Sequence, residues 1–143
     1  MNAREDREVE LTGLVRSMVR AANLGCEVRV IVQDAAPAEP DVEECYAVTE
    51  SVRSSSAFSL TVYSAFFTQP EVEQRTILAH ELGHMVVWPY QTTANRVAKR
   101  KADKEHLEEL EEDLADRIGR LILSACYEAG VDFEALSRSP SPA

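Results

Sequence analysis

Apolar residues follow two different periods in the first quarter of the chain. From residue 4 to 23 they recur three and four positions apart, which predicts a helix with one apolar face. Gly25 follows and is expected to end that helix. From residue 27 to 33 apolar and polar residues alternate, with Val28, Val30 and Val32 on one side. This alternation predicts a strand.

Two further strands are predicted after a loop at residues 34–41, which contains two prolines. Residues 45–49 and 58–63 have the composition of short strands, and the serine-rich residues 51–56 have the chemistry of the turn between them. With residues 27–33 they predict a small three-stranded sheet.

The rest of the chain predicts two longer helices. Pro70 fits the start of the first, and Pro89 is expected to end it at Trp88, because proline lacks a backbone N–H. Residues 90–103 are then a connecting loop with several basic residues, either solvated or forming a mobile rim that contacts substrate. The second long helix is predicted from residue 104 to about 128.

The second long helix carries two apolar bands. One is a stripe of leucine and isoleucine: Leu110, Leu114, Ile118 and Leu121. Beside it lies a band that mixes acids with small residues: Glu108, Glu112, Ala115, Gly119, Ile122 and Cys126. Small residues such as these allow a second helix to approach closely.

Gly130 is expected to end the second long helix. Residues 133–136 are expected to form a short segment that packs back against the domain. Residues 1–136 are predicted to form a single domain, and residues 137–143, rich in serine and proline, a disordered tail. The fold class is therefore α+β: an N-terminal helix, a small sheet and two long helices.

Composition narrows the classes of protein that fit these elements. The 143 residues are 45% hydrophobic and 28% charged, the balance of an ordinary globular domain. No apolar run approaches the ~18 residues of a membrane span, and the charged N-terminus lacks the apolar core of a signal peptide. A cytoplasmic protein is therefore predicted. The net charge of −10 argues against direct nucleic-acid binding and suits a basic partner or substrate.

The three cysteines are widely spaced and include no C-x-x-C pair. A thiolate zinc knuckle and a disulfide framework are both disfavoured, and free thiols are expected.

Residues 80–84 carry the most specific chemistry in the chain. They read H-E-x-x-H inside an apolar helical stretch. Residues four apart share a helix face, so His80 and His84 can converge on one cation. Glu81 lies one position round, where it can act on a water without binding the metal. This arrangement predicts a zinc hydrolase site.

A hydrolytic zinc site needs a third protein ligand as well as one open position. The metzincin extension requires glycine at position 87 and histidine at position 90, where the chain has Val87 and Tyr90, so that class is excluded. His106 is placed by a helical wheel towards solvent.

The acidic helix offers better third ligands. Glu112 lies on the small-residue band, with Glu108 as the alternative, whereas Glu111 leans to the opposite side of the leucine stripe. Asp116, one turn after Glu112, is placed to accept a hydrogen bond from a ligand histidine and fix its tautomer.

The two motifs together resemble a known family. H-E-x-x-H followed by Glu112 and Asp116 is similar to the gluzincin pattern, and more narrowly to the ImmA/IrrE metallopeptidases of bacteria and their mobile elements. The chain departs from the family's second motif at Leu114, Asp116 and Gly119. The resemblance implies that residues 1–136 form a minimal zincin-like metallopeptidase domain. It also implies limited, site-specific cleavage of a cytoplasmic protein, such as a helix-turn-helix repressor of a phage or mobile element. Many relatives carry a helix-turn-helix DNA-binding domain or an additional C-terminal domain, and neither is expected within these 143 residues.

The hypothesis is a zinc-dependent endopeptidase in which His80, His84 and Glu112 bind one Zn²⁺ per chain. Glu81 is the general base that activates water and then protonates the leaving amine. A protein or peptide substrate is expected to add along an edge strand at residues 58–63, whose apolar face is Phe58, Leu60 and Val62.

The candidates for stabilising the transition state are Tyr63, Tyr90 and Arg96. Two other classes remain open: a zinc-fold module that sequesters a regulatory protein without cleaving it, and a subunit that needs a partner to complete its cleft. The His₂Glu set also accepts manganese or iron.

Overall fold

The structure, a computed structural model, describes residues 2–34, 46–53 and 56–137. Its elements in chain order are helix α1 (Ala3–Ala21), strands β1 (Glu27–Gln33), β2 (Ala47–Arg53) and β3 (Ala57–Tyr63), a 3-10 turn (Ser64–Thr68), and helices α2 (Glu71–Val97), α3 (Lys101–Ala129) and α4 (Glu134–Ser137). The predicted α+β class is confirmed. The predicted loop from residue 35 to 41, Cys45, residues 54–55 and the predicted tail from residue 138 onward lie outside the described residues.

The three strands are ordered β1-β3-β2, with β3 parallel to β1 and antiparallel to β2. The prediction that residues 58–63 form an edge strand is wrong, because β3 is the central strand. Phe58, Leu60 and Val62 are at most 2% exposed and belong to the core. The predicted turn also begins too early, since β2 continues through Ser51 to Arg53.

Side chains of α1 cover the outer edge of β1. The Val30 N–H donates to Thr12 Oγ1 at 3.2 Å, and the Val32 N–H donates to Glu8 Oε1 at 2.9 Å. Arg4 Nε donates to the Val32 carbonyl at 2.9 Å. An edge whose backbone groups are already bonded is a poor template for another strand. Of the two outer strands described, β2 is therefore the better candidate to accept one.

One continuous core joins α1 to the inner face of the sheet and to the last three helices. The alternation read from the sequence is confirmed in β1, where Val28, Val30 and Val32 are buried. The buried residues of α1 are Leu11, Leu14, Val15, Met18 and Val19, whereas Val9, which the same helical spacing places on the apolar face, is 63% exposed. Gly130 ends α3 in the left-handed conformation, with φ of 73°.

Helix α2 passes through Pro89 and ends at Val97, so the predicted stop at Trp88 and the loop over residues 90–97 are wrong. A proline inside a helix removes one hydrogen bond and costs about 3 kcal/mol. Packing offsets that cost, because the second half of α2 lies against the first half of α3, where Ala94 and Leu107 line a shared apolar groove. Helical stability arises mainly from such tertiary contacts rather than from local propensity.

The basic residues of the predicted rim lie around the turn between α2 and α3. Arg100 pairs with Asp103 at 3.0 Å, and Lys101 with Glu105 at 3.7 Å. Both pairs are within α3 or at its start and are solvent-exposed, so they contribute little to stability.

Helices α2 and α3 cross at two glycines. A Cβ added at Gly83 would meet the Ala115 backbone, with the Ala115 Cα at 3.1 Å. A Cβ at Gly119 would meet the carbonyl carbon of Ala79 and the backbone nitrogen of His80, both at 3.1 Å. The small-residue band of α3 therefore faces the H-E-x-x-H helix. The leucine stripe beside it is only partly covered: Ile118 packs against the core, whereas Leu121 is 71% exposed.

Candidate metal centre

His80 and His84 lie on the face of α2 that meets α3. Their Nε2 atoms are 3.0 Å apart, and the rings are nearly perpendicular. Both side chains are about one-fifth exposed. The i, i+4 spacing read from the sequence therefore brings the two nitrogens to one point.

Glu112, on α3, places its carboxylate across both nitrogens. Its Oε2 is 3.0 Å from His80 Nε2, and its Oε1 is 3.2 Å from His84 Nε2. The third group predicted from the sequence thus lies where a third ligand would be needed.

These contacts fit a small divalent cation. Zinc bonds of about 2.0–2.2 Å in a tetrahedral arrangement place neighbouring ligand atoms roughly 3.3 Å apart. The three separations here are 3.0, 3.0 and 3.2 Å. His80, Glu81 and His84 also form a group whose ligand atoms lie within 4.8 Å of one another and that could hold a metal ion. Both Glu112 and Glu81 are therefore close enough to the histidines to serve as the third metal ligand. Their other hydrogen bonds indicate which of the two is the ligand.

The Glu81 carboxylate is hydrogen-bonded to strand β2. Its Oε2 accepts a hydrogen bond of 2.7 Å from the Thr49 hydroxyl of β2, and the residue is only 9% exposed. Burial raises the pKa of the Glu81 carboxyl, against the lowering effects of the Thr49 hydrogen bond and both histidines. A carboxylate with a raised pKa, beside the histidines but hydrogen-bonded to strand β2, suits a base better than a ligand.

The outer nitrogens of both histidines face carboxylates on α3. His80 Nδ1 is 2.6 Å from Asp116 Oδ1, and His84 Nδ1 is 3.0 Å from Glu111 Oε1. A carboxylate at Nδ1 holds the proton there and leaves the Nε2 lone pair for a cation. Asp116 occupies the place predicted for it.

The prediction that Glu111 lies on the opposite side of the leucine stripe is wrong, because its carboxylate contacts His84 of α2. Its side chain is only 12% exposed, against 64% for Glu112. The available signal was the position of Ala115 at the helix crossing. Residues three and four before a buried position both lie near its face, so Glu112 and Glu111 point towards α2 together.

Replacing Asp116 by asparagine or Glu111 by glutamine is expected to weaken zinc affinity by about 10- to 100-fold, because a neutral amide holds the histidine tautomer less firmly. Competition with a chromogenic chelator measures the affinity. Asp113→Asn is the matched control, since Asp113 is an exposed acid of the same helix paired with Arg117. Unchanged affinity in both test variants would show that neither carboxylate supports the site.

A cleft of about 510 Å³ opens beside the histidines. Residues 47–49 of β2 line one side, α2 contributes Glu81, His84 and Trp88, and α3 contributes Glu108, Glu111 and Glu112. Glu108, the alternative third ligand, thus lies in the cleft wall, one turn before the carboxylate that contacts the histidines.

The remaining predicted site residues lie elsewhere. Tyr63 is 8% exposed, at the end of β3, and Tyr90 is 75% exposed, beside the apolar groove of α2 and α3. Neither tyrosine lines the cleft, and Arg96 is an exposed residue near the end of α2. Among the described residues, the strand that lines the cleft is β2 rather than β3.

Neither a protein-family model, nor a curated protein, nor a solved structure matches this chain. The fold and the site thus define an α+β protein with an H-E-x-x-H group that could bind a metal ion. No helix in the described ranges is long and apolar enough to cross a membrane.

Proposed function

We propose that this protein is a zinc-dependent endopeptidase that cleaves a protein substrate at a limited number of sites. The observation that carries the proposal is the triangle of His80 Nε2, His84 Nε2 and the Glu112 carboxylate, with side lengths of 3.0 to 3.2 Å. The Glu81 carboxylate lies beside that triangle and accepts a hydrogen bond from Thr49 of strand β2. Three ligands next to one base is the donor set of hydrolytic zinc sites.

In this proposal His80, His84 and Glu112 hold the cation. A divalent cation bound there supplies Lewis-acid polarisation of a carbonyl and makes water more acidic. Glu81 accepts a proton from the attacking water and passes it to the nitrogen of the leaving amine. Asp116 and Glu111 keep the Nδ1 protons in place, so the histidines remain neutral ligands.

The substrate is proposed to add along β2 instead of β3. The Tyr63 N–H donates to the Tyr46 carbonyl at 3.0 Å, so residue 46 faces β3. Alternation along an antiparallel ladder then turns the backbone N–H and C=O of Thr49 away from β3. A peptide extended beside β2 would pass along the wall of the cleft next to the histidines.

The resemblance of the two motifs to ImmA/IrrE metallopeptidases supports a bacterial regulatory substrate, such as a helix-turn-helix repressor of a phage or mobile element. The acidic chain, with a net charge of −10, suits a substrate that carries basic surface. A cytoplasmic location follows from the same proposal.

Replacing Glu112 by alanine is expected to lower zinc affinity by about a hundredfold or more, because a ligand counts for at least as much as its supporting contacts. Glu108→Ala is the matched control, since it removes a carboxylate from the same cleft one helical turn earlier. Elemental analysis should find about one zinc per wild-type chain. Zinc lost in Glu108→Ala and retained in Glu112→Ala would transfer the ligand role to Glu108.

Cleavage is tested by incubating the zinc-loaded protein with a proteome-derived peptide mixture and identifying new N-termini by mass spectrometry. A restricted set of cleavage sites, abolished by a chelator and restored by zinc, is expected. Manganese and iron are tested in the restoration step, because a His₂Glu set accepts several metals. Zinc bound without any cleavage would contradict the endopeptidase proposal.

The exposed leucines of α3 favour a second candidate, a module that binds a regulatory protein without cutting it. Leu110 and Leu114 are 49% and 42% exposed and line the apolar groove between α2 and α3, and apolar residues exposed together mark interaction surfaces. A partner captured intact by the zinc-loaded protein, and released after Leu114→Lys, would support this candidate over the peptidase.

A further inference from the structure

The Thr49 hydroxyl joins strand β2 to helix α2. It lies 2.7 Å from Glu81 Oε2 and 3.4 Å from the Glu81 carbonyl oxygen. A hydroxyl has one proton to donate, and the shorter distance assigns it to the carboxylate. Because the two residues are 32 positions apart, this contact exists only when β2 is correctly seated against α2.

Glu81 needs such a contact in order to act as a base. A glutamate side chain has three rotatable bonds, and a catalytic group must be held within about 0.5 Å of its working position. Threonine is a suitable partner, because its branched β-carbon restricts χ1 and its strand fixes the backbone. A hydrogen bond to a charged acceptor is also stronger than one between neutral groups.

We propose that Thr49 is the positioning residue for Glu81, setting the orientation of the carboxylate from the strand along which the substrate would lie. The proposal rests on the proposed function for the role of Glu81. Thr49 then has two roles. Its side chain orients the base, and its backbone, which faces away from β3 on the wall of the cleft, is available to the substrate. The strand that receives the peptide therefore also fixes the group that activates water.

Thr49→Val tests the proposal, because valine keeps the branched shape and the preference for strands while removing the hydroxyl. Thr49→Ser restores a hydroxyl in a smaller side chain. Thr61→Val is the matched control: Thr61 is a half-buried threonine of the neighbouring strand, paired with Val48, and its alternate position directs it to the other face of the sheet.

Kinetics are measured with the fastest-cleaved peptide from the proteome-derived mixture. Thr49→Val is expected to lower kcat about tenfold or more, with KM and zinc affinity within about twofold of wild type. Thr49→Ser should recover most of kcat, and Thr61→Val should match the wild type. A fall confined to KM, no rescue by serine, or an equal fall in Thr61→Val would overturn the positioning role.

A second measurement does not depend on activity. The urea midpoint of unfolding is compared for wild type, Thr49→Val, Glu81→Met and the double variant. Loss of the hydroxyl should lower the midpoint in the Glu81 background and change it little in the Met background, because only the former has the acceptor. Additive shifts would show that Thr49 only packs, and would overturn the proposal.

The two measurements separate the two proposals. If the wild-type protein cleaves nothing but the midpoints are coupled, the endopeptidase proposal fails while the hydroxyl still orients Glu81. If cleavage occurs and the midpoints are additive with kcat unchanged in Thr49→Val, the endopeptidase proposal stands and the role of Thr49 fails.

Discussion

Glu81→Gln is expected to lower the cleavage rate by about 10²- to 10⁴-fold while leaving about one zinc bound per chain. The amide keeps the size of the side chain and can still accept the hydrogen bond from Thr49, which donates to Glu81 at 2.7 Å. It cannot take a proton from water at neutral pH. The substitution therefore removes the general base and keeps the hydrogen bond between residue 81 and Thr49.

The measurement pairs kcat with metal content in the same preparation. Glu73→Gln is the control, because Glu73 is an exposed acid in the first turn of the same helix. Full activity in Glu81→Gln would eliminate Glu81 as the base. Loss of the metal in that variant would instead make Glu81 a ligand, in keeping with its place within 4.8 Å of the histidines.

Gly83→Ala is expected to have the largest effect on stability, at least about 1–3 kcal/mol, because overpacking a helix crossing forces backbone to move. The added Cβ would meet the Ala115 carbonyl oxygen, and backbone atoms cannot rotate aside as a flexible side chain can. Relief requires α3 to shift away from α2, which also withdraws Glu111 and Glu112 from the histidines. Zinc affinity should therefore fall together with stability.

Urea unfolding and chelator competition measure the two effects. Gly13→Ala is the matched control, since Gly13 lies within α1 and an added Cβ there meets nothing within 4 Å. In a helix interior alanine is favoured over glycine by roughly 0.5–1 kcal/mol, so the control should be as stable as wild type or more so. A wild-type midpoint and wild-type zinc affinity in Gly83→Ala would contradict the close crossing.

The wrong predictions for the end of α2 and for the position of β3 have the same physical cause, which is tertiary packing. Pro89 was read as a helix stop on local grounds, whereas contact with α3 keeps α2 helical to Val97. Residues 58–63 were read correctly as a strand, but alternation along a strand does not say which neighbours it will pair with. The position of β3 between β1 and β2 follows from packing of the whole sheet.

In the candidate site, the arrangement of residues within one helix was predictable from the sequence, and the packing of one element against another was not. Spacing within one helix is local, so the convergence of His80 with His84 was predictable from the sequence, as was the side of α3 carrying Glu112 and Asp116. Glu111 and Thr49 were not found. Glu111 requires the rotation of α3 against α2, and Thr49 requires knowing that β2 borders the histidines.

By itself, the sequence determined the period of each element, the α+β class and the pair of histidines with its neighbouring glutamate, because these depend on residues within a few positions of each other. Only the tertiary structure decided that β2 forms the wall of the cleft, that Glu111 contacts His84 and that Thr49 holds Glu81. Those contacts join residues 27 to 32 positions apart in the chain. They depend on how closely α3 approaches α2 at Gly83 and on which strand ends the sheet, and both are outcomes of packing across the whole fold.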